Sequence, residues 1–279
     1  MNIIVETKRK RYKKIGLALG GGASRGLAIL GVLKACEEYN IKWDYIAGTS
    51  VGALVGGLYA KGVPLTALIE EALNLKVKDI KSGLPFVPSS TEGIQNLVKK
   101  YIPEDSFDNL KIPFCAVVTD VLSGEELHID SGLISKAIAG SCAVPVVFSP
   151  VEWGEDRLLF DGGLQNNIPA NVPKLKGCDA VVGVDINSTR GSGAKSRKYF
   201  DVVGASVGIM MKSNSIKGYL NADLMITPDL KRFDKTKLDG VKEMIEEGYR
   251  ATIDKMPEIL QIFKRKRFRT YFTFRRKKK

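Results

Sequence analysis

Two short apolar runs each end in a glycine turn that leads directly into an apolar, helix-forming stretch. The first is Ile15-Gly-Leu-Ala-Leu19, followed by Gly20-Gly21-Gly22 and a segment from Ser24 to Tyr39. In that segment Leu27, Leu30, Leu33 and Cys36 recur every third residue, and Ile29 and Val32 widen the apolar face. The second run is Asp44 to Ala47, followed by Gly48-Thr49-Ser50-Val51-Gly52 and a helix rich in small residues. Runs without polar alternation suit strands covered on both faces, and strands joined through helices run parallel. Further along, Phe114–Thr119 and Glu126–Ile129 read as a hairpin around Ser123-Gly124, and residues from Gly132 to Ala139 as a helix. Leu158–Phe160 reads as a strand leading into Asp161, Ala180–Asp185 and Leu224–Thr227 as buried strands, and Lys237–Met256 as the last helix. Strands alternating with helices predict an α/β fold with a mostly parallel central sheet covered on both faces.

No repeat or long linker divides the chain, so one domain is expected over 15–263, flanked by basic tails at 1–14 and 264–279. The chain has 279 residues and a formal charge of +12. The two tails hold 16 of its 43 Lys and Arg and only one acidic residue, Glu6, so the body is slightly acidic. The second tail interleaves Phe268, Tyr271, Phe272 and Phe274 with its cations. That mixture suits an anionic membrane surface and, less well, single-stranded nucleic acid; a solvated tail is the bland alternative. Cys36, Cys115, Cys142 and Cys178 form no CxxC pair and sit among apolar residues, which predicts buried free thiols and no metal site. The N-terminus lacks an apolar signal region and no apolar run approaches the length of a membrane span, so a cytoplasmic protein, peripheral on the inner membrane face, is expected. A loop from Lys81 to Ser90 carries Leu84, Phe86 and Val87, suited to a substrate mouth, a membrane, or a fold-back onto the core.

Gly48-x-Ser50-x-Gly52 is the pattern of a nucleophile elbow. A strand turns into a helix within one sharp corner, and the flanking glycines remove clashes there. A serine needs a base. His128, the only histidine, lies on a hairpin strand just after a turn, a poor position for that role. A carboxylate can serve instead if partial burial tunes its pKa. Asp161, at a strand end before Gly162-Gly163, fits best; Asp120 and Asp185 are rivals. Gly20, Gly21 and Gly22 can turn backbone N–H groups toward an oxyanion. Arg25 can steady their loop or draw in a phosphate. The same loop also suits a dinucleotide, but Asp44 precedes its strand rather than ending it, and Ser50 would then go unexplained.

Together with Ser141-Cys-Ala-Val-Pro-Val-Val-Phe-Ser-Pro150 and Asp161-Gly-Gly-Leu-Gln-Asn-Asn-Ile-Pro169, these motifs resemble the patatin-like phospholipase family from Ile15 to at least Asp185. The resemblance implies a three-layer α/β/α fold, a Ser50–Asp161 dyad and an oxyanion hole from Gly20, Gly21 and Gly22 with Arg25 in the same motif. It implies hydrolysis of phospholipids or other acyl lipids through an acyl-enzyme, without metal or cofactor. Three residues separate Gly22 from Gly26 where many members have two, which leaves open the choice of N–H donors. Acyl transfer or thioester cleavage by the same dyad is the nearest alternative, and a non-catalytic membrane- or nucleic-acid-binding protein is the more distant one.

The charge pattern gives one direct expectation. Deleting Arg265–Lys279 weakens binding to anionic liposomes while turnover of a soluble ester is retained; liposome flotation of the truncated chain measures this.

Overall fold

The computed structural model describes residues 4–10, 14–76, 88–188, 193, 196–235, 237–265 and 269–275; the apolar centre of the 81–90 loop, with Leu84, Phe86 and Val87, lies outside them. Strand β1 (Ile4–Lys10) pairs antiparallel along its whole length with the last strand, β10 (Arg269–Arg275). The two basic termini therefore form one ribbon, separate from the main sheet.

The main sheet has eight strands. At its centre β2 (Ile15–Leu19) lies parallel to β3 (Tyr45–Thr49) on one side and to β8 (Ala180–Val184) on the other, and β9 (Leu224–Ile226) extends the β8 side. Strand β4 (Phe114–Asp120) follows β3 in parallel. The sheet then turns antiparallel through β5 (Glu125–Ile129), β6 (Val151–Trp153) and β7 (Arg157–Asp161). The parallel strands are those read as unbroken apolar runs, and all five residues of β2, β3 and β8 are buried.

Alternation along these strands fills two cores. Leu17, Leu19 and Ile46 enter the larger one, with α1 (Ala28–Glu38), α2 (Val51–Lys61), α5 (Ile134–Cys142) and α9 (Val241–Arg265). Ala18, Tyr45, Ala47, Cys115 and Val117 enter a smaller core against α6 (Asn171–Leu175). All four cysteines are free and buried. Helices α3 (Leu65–Asn74) and α4 (Glu92–Tyr101) complete the larger side, and α7 (Tyr199–Ser213) and α8 (Ile216–Asn221) lie beyond β8. The result is the three-layer architecture expected. Among the described residues no helix is long and apolar enough to cross a membrane.

Several boundaries differ from the sequence reading: the helix read over Gly132–Ala139 is Ile134–Cys142 and the last helix begins at Val241, and two further differences have a clear physical cause. The Ser24–Tyr39 segment opens as a 3₁₀ turn, Ala23–Leu27, before α1 begins. Helix α9 runs past Met256 through Pro257 to Arg265. A proline inside a helix removes a hydrogen bond and costs about 3 kcal/mol. Here Met256 and Ile259 are buried on either side of it, and Phe263 meets Trp43 edge-on at 5.4 Å, so packing carries the helix across.

One local arrangement positions the site. Each backbone strand has two edges. Strand β5 occupies one edge of β4 from Ala116 to Asp120, so β3 and β7 must share the other. Thr49, the last residue of β3, lies opposite Val117, and Asp161, the last residue of β7, lies opposite Val118. The two strands run toward each other and end at consecutive registers of β4.

Candidate functional site

Ser50 stands at the corner between β3 and α2. Its backbone has φ 57° and ψ −130°, a left-handed conformation that a side chain adopts only when its surroundings hold it there. They do so from both sides. The Ser50 N–H donates to Ser141 Oγ at 2.8 Å, and the Ser50 carbonyl accepts from Ala53 at 2.8 Å and Leu54 at 3.1 Å. Ser141 in turn donates to the Val117 carbonyl at 2.6 Å. The corner is tight enough that a Cβ on Gly48 would fall 2.4 Å from the Gly52 carbonyl oxygen, so only glycine fits. Ser50 occupies the N-cap position of α2, yet its hydroxyl makes no capping hydrogen bond. The strand, sharp corner and helix are arranged as in a nucleophile elbow, and the serine hydroxyl does not cap the helix.

Asp161 is fully buried. Its Oδ1 accepts the Gly163 N–H at 2.8 Å, so it is a turn residue as well as a candidate base. Its Oδ2 is sealed from solvent without a fully formed hydrogen bond. Burial pushes the carboxyl up to about 7; hydrogen bonding to the Ser50 hydroxyl and the Gly163 N–H restrains that rise. The Ser50 contact thus acts on the carboxyl but is too loose to satisfy Oδ2. Catalytic hydrogen bonds are commonly loose before substrate binds.

The rivals are otherwise engaged. Asp185 accepts from the Asn187 N–H at 2.8 Å and the Tyr219 hydroxyl at 2.7 Å. Asp120 ties the β4–β5 turn through Leu122 and Ser123 and also accepts from Leu158. His128 Nε2 lies 2.7 Å from Glu126 Oε1. Burial opposes ionisation of Glu126, but hydrogen bonds from His128, Lys217 and Asn166 bring it down to about 2. Asp44 accepts from the Ile15 N–H at 2.7 Å at the far end of β2, which fits a strand-capping role and no ribose. Among the described residues no three His, Cys, Asp or Glu side chains gather as metal ligands.

The glycine loop corrects the expected oxyanion donors. The Gly20 N–H donates to the Val184 carbonyl at 3.1 Å, and the Gly21 N–H to the Asn167 carbonyl at 3.0 Å. Both are committed to fastening the loop across β8 and the segment after Asp161. Gly21 nonetheless lies against the serine, since a Cβ on it would sit 3.1 Å from Ser50 Cβ. Of the three, Gly22 retains its N–H among the described residues. Arg25 takes the structural one of its two expected roles. Its Nε and Nη2 donate to the Phe233 carbonyl at 2.9 and 2.6 Å, and Ser24 adds bonds to Asp234 and Lys235. The guanidinium fastens the loop to the 231–235 segment.

Three polar residues were not singled out from the sequence. Ser141, Asn166 and Asn167 are buried. The Asn166 carbonyl accepts from Thr49 Oγ1 at 2.9 Å, and Asn167 Nδ2 donates to Ser215 Oγ at 3.0 Å. The available signal was a serine on the apolar face of α5 and an Asn-Asn pair just after a strand-end turn.

The comparisons agree with this architecture. The family model "Patatin-like phospholipase" matches residues 17–173. "Lysophospholipase NTE1" of Mycosarcoma maydis is 36% identical over 183 residues, covering 62% of this chain and 10% of that protein. An uncharacterized NTE family protein of Mycobacterium bovis is 33% identical over 187 residues, covering 65% of this chain and 51% of that one. "Patatin-like phospholipase domain-containing protein 7" of Rattus norvegicus is 31% identical over 192 residues, covering 62% and 14%. The chain therefore spans about half or less of each of these relatives. The crystal structure of VipD from Legionella pneumophila superposes with a TM-score of 0.58 at 14% identity, over 96% of this chain and 71% of that one, a likeness of fold.

Two substitutions separate positioning from packing. Ser141→Ala leaves the Ser50 N–H buried without an acceptor and is expected to destabilise the protein by about 1–3 kcal/mol, read by chemical denaturation. Arg25→Met is expected to lower thermal stability while changing KM equally for anionic and neutral esters; a selective rise for anionic esters would show instead that Arg25 binds substrate charge.

Proposed function

Because the chain belongs to the patatin-like phospholipase family, we propose that it is a serine acyl hydrolase that cleaves carboxylic esters of phospholipids or other acyl lipids through Ser50 and Asp161. The observation that carries this reading is the pairing of an uncapped elbow serine with a buried carboxyl whose pKa is raised to about 7. The lysophospholipase named among the relatives supports a lipid ester as substrate.

In this mechanism Ser50 Oγ attacks the ester carbonyl and its proton passes to Asp161 Oδ2. Asp161 Oδ1 stays tethered to Gly163, which keeps the second oxygen aimed at the serine. The oxyanion is received by the N–H of Gly22, with the N-terminus of α2 favouring the negative charge. Gly20 and Gly21 support that hole and do not donate into it. The alcohol leaves with the proton from Asp161, giving an acyl-enzyme on Ser50. Asp161 then deprotonates water, which attacks the acyl carbonyl, and returns that proton to Ser50 Oγ as the Oγ–acyl bond breaks and the fatty acid is released. The basic termini favour action at an anionic membrane surface on the cytoplasmic side.

The raised pKa gives a joint signature in activity and stability. Asp161 must be ionised to accept a proton, so kcat/KM for a reporter ester rises with pH through about 7. The unfolded carboxyl ionises near 4. Between these values the native state holds a proton that the unfolded chain has lost, so stability falls as pH rises through that window. The penalty is fully present above pH 7 and has an upper bound of about 4 kcal/mol. Asp161→Asn is therefore expected to lose about a thousandfold in kcat, yet to melt higher than the parent at pH 8 and not at pH 4. Ser50→Ala is expected to abolish turnover. Turnover that survives Ser50→Ala, or a serine-directed fluorophosphonate that labels another residue, would sink the mechanism. A lipid panel with mass-spectrometric product detection identifies the substrate.

A further inference from the structure

Helix α7 (Tyr199–Ser213) reads Tyr-Phe-Asp-Val-Val-Gly-Ala-Ser-Val-Gly-Ile-Met-Met-Lys-Ser and is apolar almost all the way round. A helix of that kind is ordinarily buried on every side. Here Met211 is its buried residue, and Val207 and Val203, one and two turns before it on the same face, are half-buried. Most of the remaining helix surface is open to solvent. Tyr199 is 75% exposed, Ile209 57% and Met210 54%, with Phe200 and Val202 also in solvent. Helix α8 continues the surface with Ile216 at 66% and Leu220 at 79%. An apolar patch of this extent marks a surface that meets an apolar phase.

We infer that α7 and the start of α8 form an interfacial docking surface that seats the enzyme on an anionic lipid surface, with the apolar face in the acyl-chain boundary. The choice of occupant rests on the lipid-hydrolase reading above. Charge complementarity supports it. Between Ser196 and Asn221 there are four basic residues (Arg197, Lys198, Lys212 and Lys217, the last paired with Glu126) and one acidic residue, Asp201. Asp201 is bonded to the Ser196 hydroxyl. Arg197 and Lys198 directly precede Tyr199 and Phe200, whose rings meet edge-on at 5.5 Å, the pairing of cations and aromatics that suits the headgroup layer.

The polar groups on the helix are compatible with that setting. Ser206 Oγ donates to the Val202 carbonyl at 2.9 Å and Ser213 Oγ to the Ile209 carbonyl at 3.1 Å. Both hydroxyls are satisfied within the helix and need no water. The surface is also joined to the catalytic centre. Met211 packs over Gly163, where an added Cβ would lie 2.5 Å from Met211 Cε, and Gly163 is the residue whose N–H tethers Asp161. Asn214 Nδ2 donates to the Leu164 carbonyl at 2.7 Å, and Ser215 accepts from Asn167. A membrane gripped by α7 therefore lies beside the turn that carries the base. This surface is distinct from the β1–β10 ribbon.

The test is flotation of the full-length chain with vesicles of phosphatidylcholine and phosphatidylglycerol, in a Ser50→Ala background so that lipid is not consumed. Salt screens the attraction of the termini for anionic lipid and leaves apolar insertion intact. At high salt the parent is expected to remain bound. Phe200→Asp with Ile209→Asp is expected to weaken partitioning about tenfold or more, and Met210→Asp with Leu220→Asp, an independent pair at exposed positions, to do the same. In the active background both pairs should keep the parent's thermal stability and its turnover of a soluble short-chain ester, while turnover of vesicle lipid falls with binding. Unchanged flotation for both pairs would overturn the inference. So would a parent fully released by salt, or a parent that is dimeric by light scattering and dissociates on Phe200→Asp with Ile209→Asp, which would make a second copy the occupant. If no ester is turned over at all but flotation still depends on α7, the catalytic reading falls and the docking surface stands.

Discussion

A carboxyl group held out of water is the constraint to which most of the site's architecture answers. Asp161 is fully buried, and burial alone drives its pKa upward toward neutrality. Without tethers the group would remain a neutral acid in the working range of pH. Two contacts check the rise: the hydrogen bond from the Gly163 N–H, which fixes one oxygen, and the looser approach of the Ser50 hydroxyl to the carboxyl. The balance leaves a carboxyl group that ionises near neutral pH, the range a general base requires. The polar residues around it hold backbone in position so that this balance is kept. Ser141 holds the strained Ser50 N–H, and the Asn166 and Asn167 carbonyls hold Thr49 and Gly21.

Much of this was legible in the sequence, and the reasons are local. The central strands are unbroken apolar runs, and their burial on both faces follows from that pattern. The elbow is written in five consecutive residues, because a close approach that excludes every Cβ leaves only glycine at Gly48. Asp161 could be chosen over Asp120 and Asp185 because it alone joins an apolar strand end to a double-glycine turn.

What stayed hidden depends on partners distant in the chain. That Gly20 and Gly21 have no N–H to offer follows from pairing with Val184 and Asn167, which no local pattern reveals. Arg25 read equally well as a phosphate ligand or a tether; the carbonyls of the 231–235 segment, about 200 residues away, decide it. Ser141 looked like an incidental small residue in an apolar helix, and only the β3–α2 corner and β4 give it its two partners. Helix α9 crosses Pro257 because buried neighbours on both sides outweigh the local penalty. Helix α7 was missed for a related reason: its apolar residues do not fall on one stripe, so no helical period emerges from them.

The edge of β4 shared by β3 and β7 also sets an order of assembly. Ser50 arrives on a strand near the start of the chain, and Asp161 on one that runs the opposite way more than a hundred residues later. Strand β4 must pair with both β3 and β7 before the two side chains meet. Long-range pairings of this kind close late in folding. A nascent or partly unfolded chain therefore carries Ser50 apart from Asp161. Any chemistry that needs both side chains together waits on the completed sheet.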